Sequence, residues 1–265
     1  MDFNNIVDAY DHYEEKSRTT SNNSRKVEFI TTTHVLENLL EENLNILDCA
    51  AGTGIYSLFL ANKGYHVTAL DITKKHIEVL NQKLEGKKYN VEAAVNDAQG
   101  LGMFEDESFD VVLCMGPLYH LTEAKDRNLC FEECYRVLKK GGLLISSYIN
   151  RFFVIPHVIT KDFRLLNNDF IGELRDNGAL DHDGPLRFLV DSYYHTPDEI
   201  ERLYYYFGLE LIDHLGADGI SPLVANDIDR MSEEEFDIWF DYHLSVCRER
   251  STLGMSHHGL IIGKK

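Results

Sequence analysis

Two hydrophobic periods alternate along the chain. Short, nearly continuous apolar runs occur at Leu44–Leu47, His66–Leu70, Val91–Val95, Phe109–Cys114 and Leu143–Ile149. Runs of this length without polar alternation are the pattern of parallel strands buried on both faces. Between them the apolar residues return every three to four positions. Ile55, Leu58, Phe59 and Ala61 form one such stretch, stopped by Gly64, and Ile77 and Leu80 mark a second helix that starts at Lys74 behind Thr73 as N-cap. A third starts at Thr122, carries Leu129, Cys130, Tyr135, Val137 and Leu138, and is expected to stop at Gly141-Gly142. Strand and helix in repeated alternation predict an α/β chain with a doubly wound parallel sheet and helices on both faces.

Outside this core the pattern changes. Residues 25–41 read as an amphipathic helix leading into the first strand, and residues 1–24 are polar with Tyr10 and Tyr13 among them. Residues 150–195 lack the alternation and read as a mostly helical insertion rich in Phe, Arg and Asp. Thr196-Pro197-Asp198-Glu199 is a strong helix start, with Gly208 as its stop. A sixth strand follows at Leu209–Leu215, a helix at 232–249 behind Ser232-Glu233-Glu234-Glu235, and a last strand at His257–Gly263. These segments give one domain with insertions. Residues 1–43 form an N-terminal lid and helix, 44–149 the core, 150–195 a helical cap, and 196–265 the rest of the sheet with its own helical insertion.

Charge narrows the partners. The 265-residue chain has 44 acidic against 26 Lys and Arg residues, a net −18. Phosphate backbones and anionic lipid surfaces are bound through Lys and Arg, so nucleic acid and membrane are not expected partners. No apolar run approaches a membrane span, and Asp2, Asn4 and Asp8 stand where a signal peptide would be basic. Five cysteines give no paired framework, and Cys49, Cys114, Cys130 and Cys134 fall on strand or helix positions of the core. Reduced core thiols and a cytoplasmic location are the expectation. The twelve histidines are scattered without an H-x-x-x-H pair, so no metal site is expected.

The chemistry concentrates where the first strand breaks into small residues, Asp48-Cys49-Ala50-Ala51-Gly52-Thr53-Gly54, before the first helix. Strand, small-residue turn and helix make a cradle where backbone can approach a ligand closely. The turn has no third glycine for a dinucleotide fingerprint and no G-K-[S/T] for a P-loop. The second strand ends in Asp71, 19 residues after Gly52, where a ribose would present its hydroxyls. The third ends in Asn96-Asp97-Ala98, and the fourth in Met115-Gly116-Pro117-Leu118-Tyr119-His120.

This ordered set resembles the class I S-adenosylmethionine-dependent methyltransferases, whose first motif is usually D/E-x-G-x-G-x-G. Here Ala50 replaces the first glycine. Arg136-Val137-Leu138-Lys139-Lys140-Gly141-Gly142 is similar to the family's R-V-L-K-P-G-G turn, with Lys140 in place of Pro. The closest likeness is to the small-molecule branch. The resemblance implies a Rossmann-like, mostly parallel seven-stranded sheet with its last strand antiparallel, and S-adenosyl-L-methionine as cofactor. It further implies that Asp48 and the backbone of Ala50, Gly52, Thr53 and Gly54 hold the methionine part. Asp71, with Ile72 beside it, would take both ribose hydroxyls, Asp97 and Ala98 the adenine, and Met115 and Gly116 would pass beneath the sulfonium.

Methyl transfer needs a positioned nucleophile, and a base only if that nucleophile arrives protonated. Tyr119 and His120, just past the fourth strand, are the candidates for that work. The crevice lies at the carboxyl edge of the strands. Residues 1–24, the 150–195 insertion and the 217–256 connection all reach that edge. Tyr10 and Tyr13 are therefore expected near the methionine end, with Arg151, Phe152, Arg187, Tyr193 and His257 around a small-molecule substrate. The acceptor atom (O, N, S or C) and the oligomeric state stay open. A non-catalytic protein that binds the cofactor, and an enzyme that transfers its aminocarboxypropyl arm, are the competing readings.

Overall fold

The computed structural model describes residues 22–161, 163, 166–180 and 191–265. The first helix, α1 (Asn23–Leu39), starts at Asn22, whose side chain accepts the Arg25 N–H. The core then runs β1 (Asn45–Asp48), α2 (Ile55–Asn62), β2 (His66–Asp71), α3 (Lys74–Leu84), β3 (Val91–Val95) and β4 (Phe109–Met115). It continues through α4 (Pro117–His120), α5 (Ala124–Val137) and β5 (Leu138–Ile149). Strands β1 to β5 pair in parallel.

Alternate residues of these strands face opposite sides, and on the inner strands both sides are covered, while the edge strand β3 is only partly buried. Leu47, Val112 and Leu144 pack with Phe131 of α5 in one cluster. Ile46, Val67, Val111, Leu113 and Ile145 pack with Val35 and Leu36 of α1 and Leu60 of α2 in the other. That double burial is why the strands read as unbroken apolar runs.

The expected boundary between the third core helix and the fifth strand moves. The helix ends at Val137 and β5 begins at once with Leu138. Lys139 to Gly142 form an irregularity in the ladder, where register passes from Phe109↔Leu138 to Val111↔Leu143. The Gly141 N–H is taken by the Lys265 carbonyl, so the polar turn is held as strand by the chain's own C-terminal segment.

Beyond β5 come α6 (Arg151–Lys161), α7 (Asn168–Asn177) and a two-residue pair, β6 (Ala179–Leu180) with β7 (Ser192–Tyr193). Val154, Val158, Phe170, Leu174, Leu180 and Tyr194 give this cap a small core of its own. Then follow α8 (Pro197–Tyr206), β8 (Glu210–Gly216), α9 (Ala225–Ile228), α10 (Glu233–Val246), α11 (Arg250–Leu253) and β9 (His258–Lys264). The helix starts at Thr196 and Ser232 form complete capping boxes, with Glu199 and Glu235, whereas Thr73 stands at the N-cap of α3 without a side-chain bond. The seven-stranded sheet has the order β3-β2-β1-β4-β5-β9-β8, with β9 antiparallel to both neighbours. The order reverses direction between β1 and β4, which places a ligand crevice at their carboxyl ends.

Candidate active site

A cleft of about 900 Å³, counting its open mouth, lies at that reversal point. Its wall contains Ala50, Gly52, Asp71, Ile72, Asp97, Ala98, Met115, Gly116, Tyr119 and His120, all singled out from the sequence. The turn after β1 is tied to the strands on both sides. Cys49 N–H donates to the Leu113 carbonyl of β4 at 3.0 Å and Ala51 N–H to the Leu70 carbonyl of β2 at 2.8 Å. The turn closes at Gly54, whose φ of +82° suits glycine, and an added Cβ there would run into the Leu80 side chain. Gly116 has φ +151°, and a Cβ on it would stand 3.3 Å from Ala50 Cβ, narrowing the cleft between the β1 and β4 turns.

Asp71 is the hub of the wall. Its carboxylate accepts Gly52 N–H at 2.8 Å, Thr73 N–H at 2.8 Å and faces His76 Nδ1 at 3.1 Å. A carboxylate has about four acceptor positions, so roughly one stays for a ligand. Asp71 thus keeps acceptor capacity on the cleft side, with His76, also in the wall, beside it. Asp97 is less committed. It accepts Gln99 N–H at 2.9 Å and the Gln99 side-chain amide at 3.3 Å.

Asp48, Thr53 and Gly54 stand behind the wall. Asp48 is buried and accepts Ser57 Oγ–H at 2.6 Å. Burial is the main cause that lifts its pKa to about 7, the nearby Asp71 charge adds to it, and the Ser57 bond opposes it. Its contact with a ligand would run through the turn it braces.

The cap residues fall elsewhere. Arg151 gives its guanidinium to Glu199 at 2.7 Å and to the Tyr194 carbonyl at 2.9 Å. Its charge is spent on joining α6 to α8 rather than offered to an anionic substrate. The Arg127 guanidinium lies 3.4 Å over the Tyr193 ring, Phe152 is exposed, and His257 packs against Phe153 and His157. None of Arg151, Phe152, Tyr193 and His257 is in the cleft wall. Tyr10, Tyr13 and Arg187 lie outside the described residues.

Several wall residues were given no site role from the sequence: Cys49, Ile55, Tyr56, Thr73, His76 and Leu121. Tyr56 and His76 sit in the first turns of α2 and α3. Helices that start at a crevice point their first turns into it, so counting on from Gly54 and Asp71 would have reached both. Beneath the wall the thiols gather. All five cysteines are free and buried. Cys49 Sγ lies 3.8 Å from Cys134 Sγ, and Cys114 Sγ 3.9 Å from Cys130 Sγ.

An adenosyl group fits this donor set. Carboxylates at two strand tips suit a diol and an exocyclic amine, and Ile72 and Leu121 offer apolar surface to a flat purine.

The comparisons agree with the geometry. Residues 47–146 match the family described as "Methyltransferase domain". The Ubiquinone biosynthesis O-methyltransferase of Pseudomonas fluorescens is 26% identical over 80% of this chain and 84% of its own length. The Demethylmenaquinone methyltransferase of Clavibacter sepedonicus is 40% identical, over 38% of this chain and 39% of its own. Where identity passes 30%, the chain thus spans less than half of the curated relatives it matches. Among solved structures, a SAM-dependent methyltransferase of Methanosarcina mazei shares the fold at TM-score 0.60 and 22% identity, over 87% of this chain and 96% of that one. The [4+2]-cyclase SpnF shares it at TM-score 0.54 and 17% identity, over 90% and 80%.

The fold is a doubly wound α/β domain with its cleft at the carboxyl ends of β1 and β4. Residues 47–146 are similar to the methyltransferase domain, and the likenesses in sequence and fold support a class I S-adenosylmethionine-dependent methyltransferase. No described helix is long and apolar enough to cross a membrane.

Proposed function

We propose that the protein transfers a methyl group to a small-molecule nucleophile, in a crevice where one group of residues holds S-adenosyl-L-methionine and another meets the acceptor. The observation that carries this reading is the single cleft shared by Asp71, Asp97, the Ala50–Gly52 turn and the Tyr119-His120 pair. When bound, the cofactor supplies a methyl carbon already activated by a positively charged sulfur. The chain's own part is positioning and the exclusion of water. Asp71 and His76 hold the ribose end, and Asp97 with the Ala98 amide holds the adenine. The Ala50–Gly54 turn, braced by Asp48, supports the methionine part. Met115 and Gly116 form the floor near the reacting carbon.

Tyr119 and His120, with ring centroids 4.7 Å apart, line the remaining side. They orient the acceptor, and His120 is the group that would take a proton from a hydroxyl or amine acceptor. The quinone precursors named for the curated relatives suggest an aromatic acceptor. Residues 1–24 and the cap complete the lid in this reading. Deleting residues 1–24 should leave the circular dichroism of the sheet intact while cofactor affinity and turnover fall. The reduced state of all five cysteines and the acidic balance suit a cytoplasmic protein that does not bind nucleic acid.

The test is product analysis. Purified protein is incubated with cofactor and a cytoplasmic small-molecule extract. Methyl transfer yields S-adenosylhomocysteine and an acceptor heavier by one CH2 group. Methylthioadenosine would instead mark arm transfer. Tight cofactor binding with no turnover across acceptor classes would mark a binding protein.

A further inference from the structure

We propose that Asp218, His257 and His258 form a binding site for one divalent transition-metal ion at the carboxyl edge of the sheet, beyond the cofactor cleft. Asp218 follows β8, and the two histidines lead into β9, forty positions further on. The fold brings them together. Asp218 Oδ2 lies 2.7 Å from His258 Nδ1 and 3.7 Å from His257 Nδ1. One donor atom from each of the three residues falls within 4.8 Å of the others.

Adjacent residues of a strand point to opposite faces. Here two adjacent histidines turn the same ring nitrogen toward one carboxylate oxygen. They can because His257 is still in the turn, its N–H on the Gly219 carbonyl at 3.3 Å and its carbonyl accepting Asn150 N–H at 2.9 Å. A structural Asp–His hydrogen bond accounts for His258 alone. The 3.7 Å to His257 is too long for a hydrogen bond. Ligand bonds of about 2.0–2.2 Å place neighbouring donors roughly 3–3.5 Å apart around an ion, and the two separations bracket that range.

The surroundings hold the donors in place. The second Asp218 oxygen accepts Ser256 Oγ–H at 3.0 Å and His258 N–H at 2.8 Å, which leaves Oδ2 facing the imidazoles. The His257 ring stacks on His157 at 5.2 Å and 22°. Glu28 of α1 brings Oε2 to 3.7 Å from His258 Nδ1, a further oxygen donor within reach. Two imidazoles with carboxylate oxygens select borderline ions such as Zn²⁺, Fe²⁺, Co²⁺ or Mn²⁺ over Ca²⁺ and Mg²⁺.

The place gives the site a relation to the cleft. His258 pairs with Ile149 of β5, and Ser147 of the same strand pairs with Met115 of the cleft floor. Two strand spacings across and two residues along separate them, roughly 12 Å. On α1, Phe29 rests on Tyr56 of the cleft wall at 5.6 Å while its neighbour Glu28 faces His258. The assignment stands on the donors alone and does not depend on methyl transfer.

The experiment is Co²⁺ titration of the full, untagged, chelator-treated chain, read by visible absorption and by calorimetry without cofactor or substrate. One Co²⁺ per chain is expected, with d–d bands of a four- or five-coordinate N/O site that Zn²⁺ abolishes. His257→Ala, which keeps the Asp218–His258 bond, and Asp218→Asn should each weaken binding at least tenfold. His257→Gln serves if His257→Ala does not fold as judged by circular dichroism. The proposal is overturned by no binding at millimolar Co²⁺, or by equal binding in the folded His257 variant.

Discussion

Asp71 takes the backbone N–H of Gly52 at 2.8 Å, so the tip of the second strand and the small-residue turn after the first are one bonded unit. The carboxylate proposed to hold the ribose also sets the shape of the turn beneath it. Asp71→Asn should therefore lower cofactor affinity by about 2–3 kcal/mol, the scale of a hydrogen bond to a charged acceptor, and lower the melting temperature as well. Calorimetry and thermal unfolding on the same sample separate the two. A variant that is less stable but binds the cofactor normally would leave Asp71 as a brace only.

Asp48 gives a pH signature with a definite sign. In the fold it keeps its proton up to about pH 7, whereas an unfolded aspartate loses it near ~3.9. Between those values the folded chain holds one proton more than the unfolded chain. The contribution is fully present below the lower value and is lost as pH rises through the upper one, by about 1.4 kcal/mol per pH unit. Chemical denaturation from pH 4 to pH 8 should show this slope in the wild type relative to Asp48→Asn. Parallel stability curves for the two proteins would mean that Asp48 is ionised in the fold.

Gly54→Ala tests the turn itself. The substitution asks alanine to adopt φ +82° and drives a methyl group into Leu80. A loss of about 1–3 kcal/mol in unfolding free energy is expected, from backbone strain and overpacking together. Gly64→Ala makes the control, because its added Cβ meets nothing within 4 Å although its φ is +95°. Equal losses in both would assign the effect to backbone strain alone.

Tyr119→Phe and His120→Ala should keep cofactor affinity and reduce turnover, since both line the cleft from α4. The two variants are compared for cofactor Kd, for kcat on the identified acceptor and for melting temperature. Lower melting temperatures with unchanged kcat would make the pair a packing element.

The core between residues 44 and 149 was legible because strands covered on both faces write themselves as apolar runs, and the ligand turns fall where those runs stop. Asp71, Asp97 and Met115, at or just past those strand ends, line the cleft. The start of β5 was not legible, because Lys139 to Gly142 are held as strand by Lys265, a partner at the far end of the chain. The β6–β7 pair is two residues long on each side, too short for any period to register. The partners of the cap residues were hidden for a different reason. Arg151 looked available because its residue type suits anions, but Glu199 and the Tyr194 carbonyl, distant in sequence, claim it. The Asp218–His257–His258 group was hidden by the same distance.

The buried thiols offer a clock for the whole domain. Cys114, Cys130 and Cys134 have no exposed surface and join β4 to α5 directly below the cofactor turn. No alkylating reagent can reach them until that junction opens, so the rate of labelling reports how often it does. A ligand that binds only the closed form, present at about a hundred times its Kd, should slow labelling about a hundredfold. Ligands could then be ranked by the delay they impose, with no substrate in hand and no product to detect.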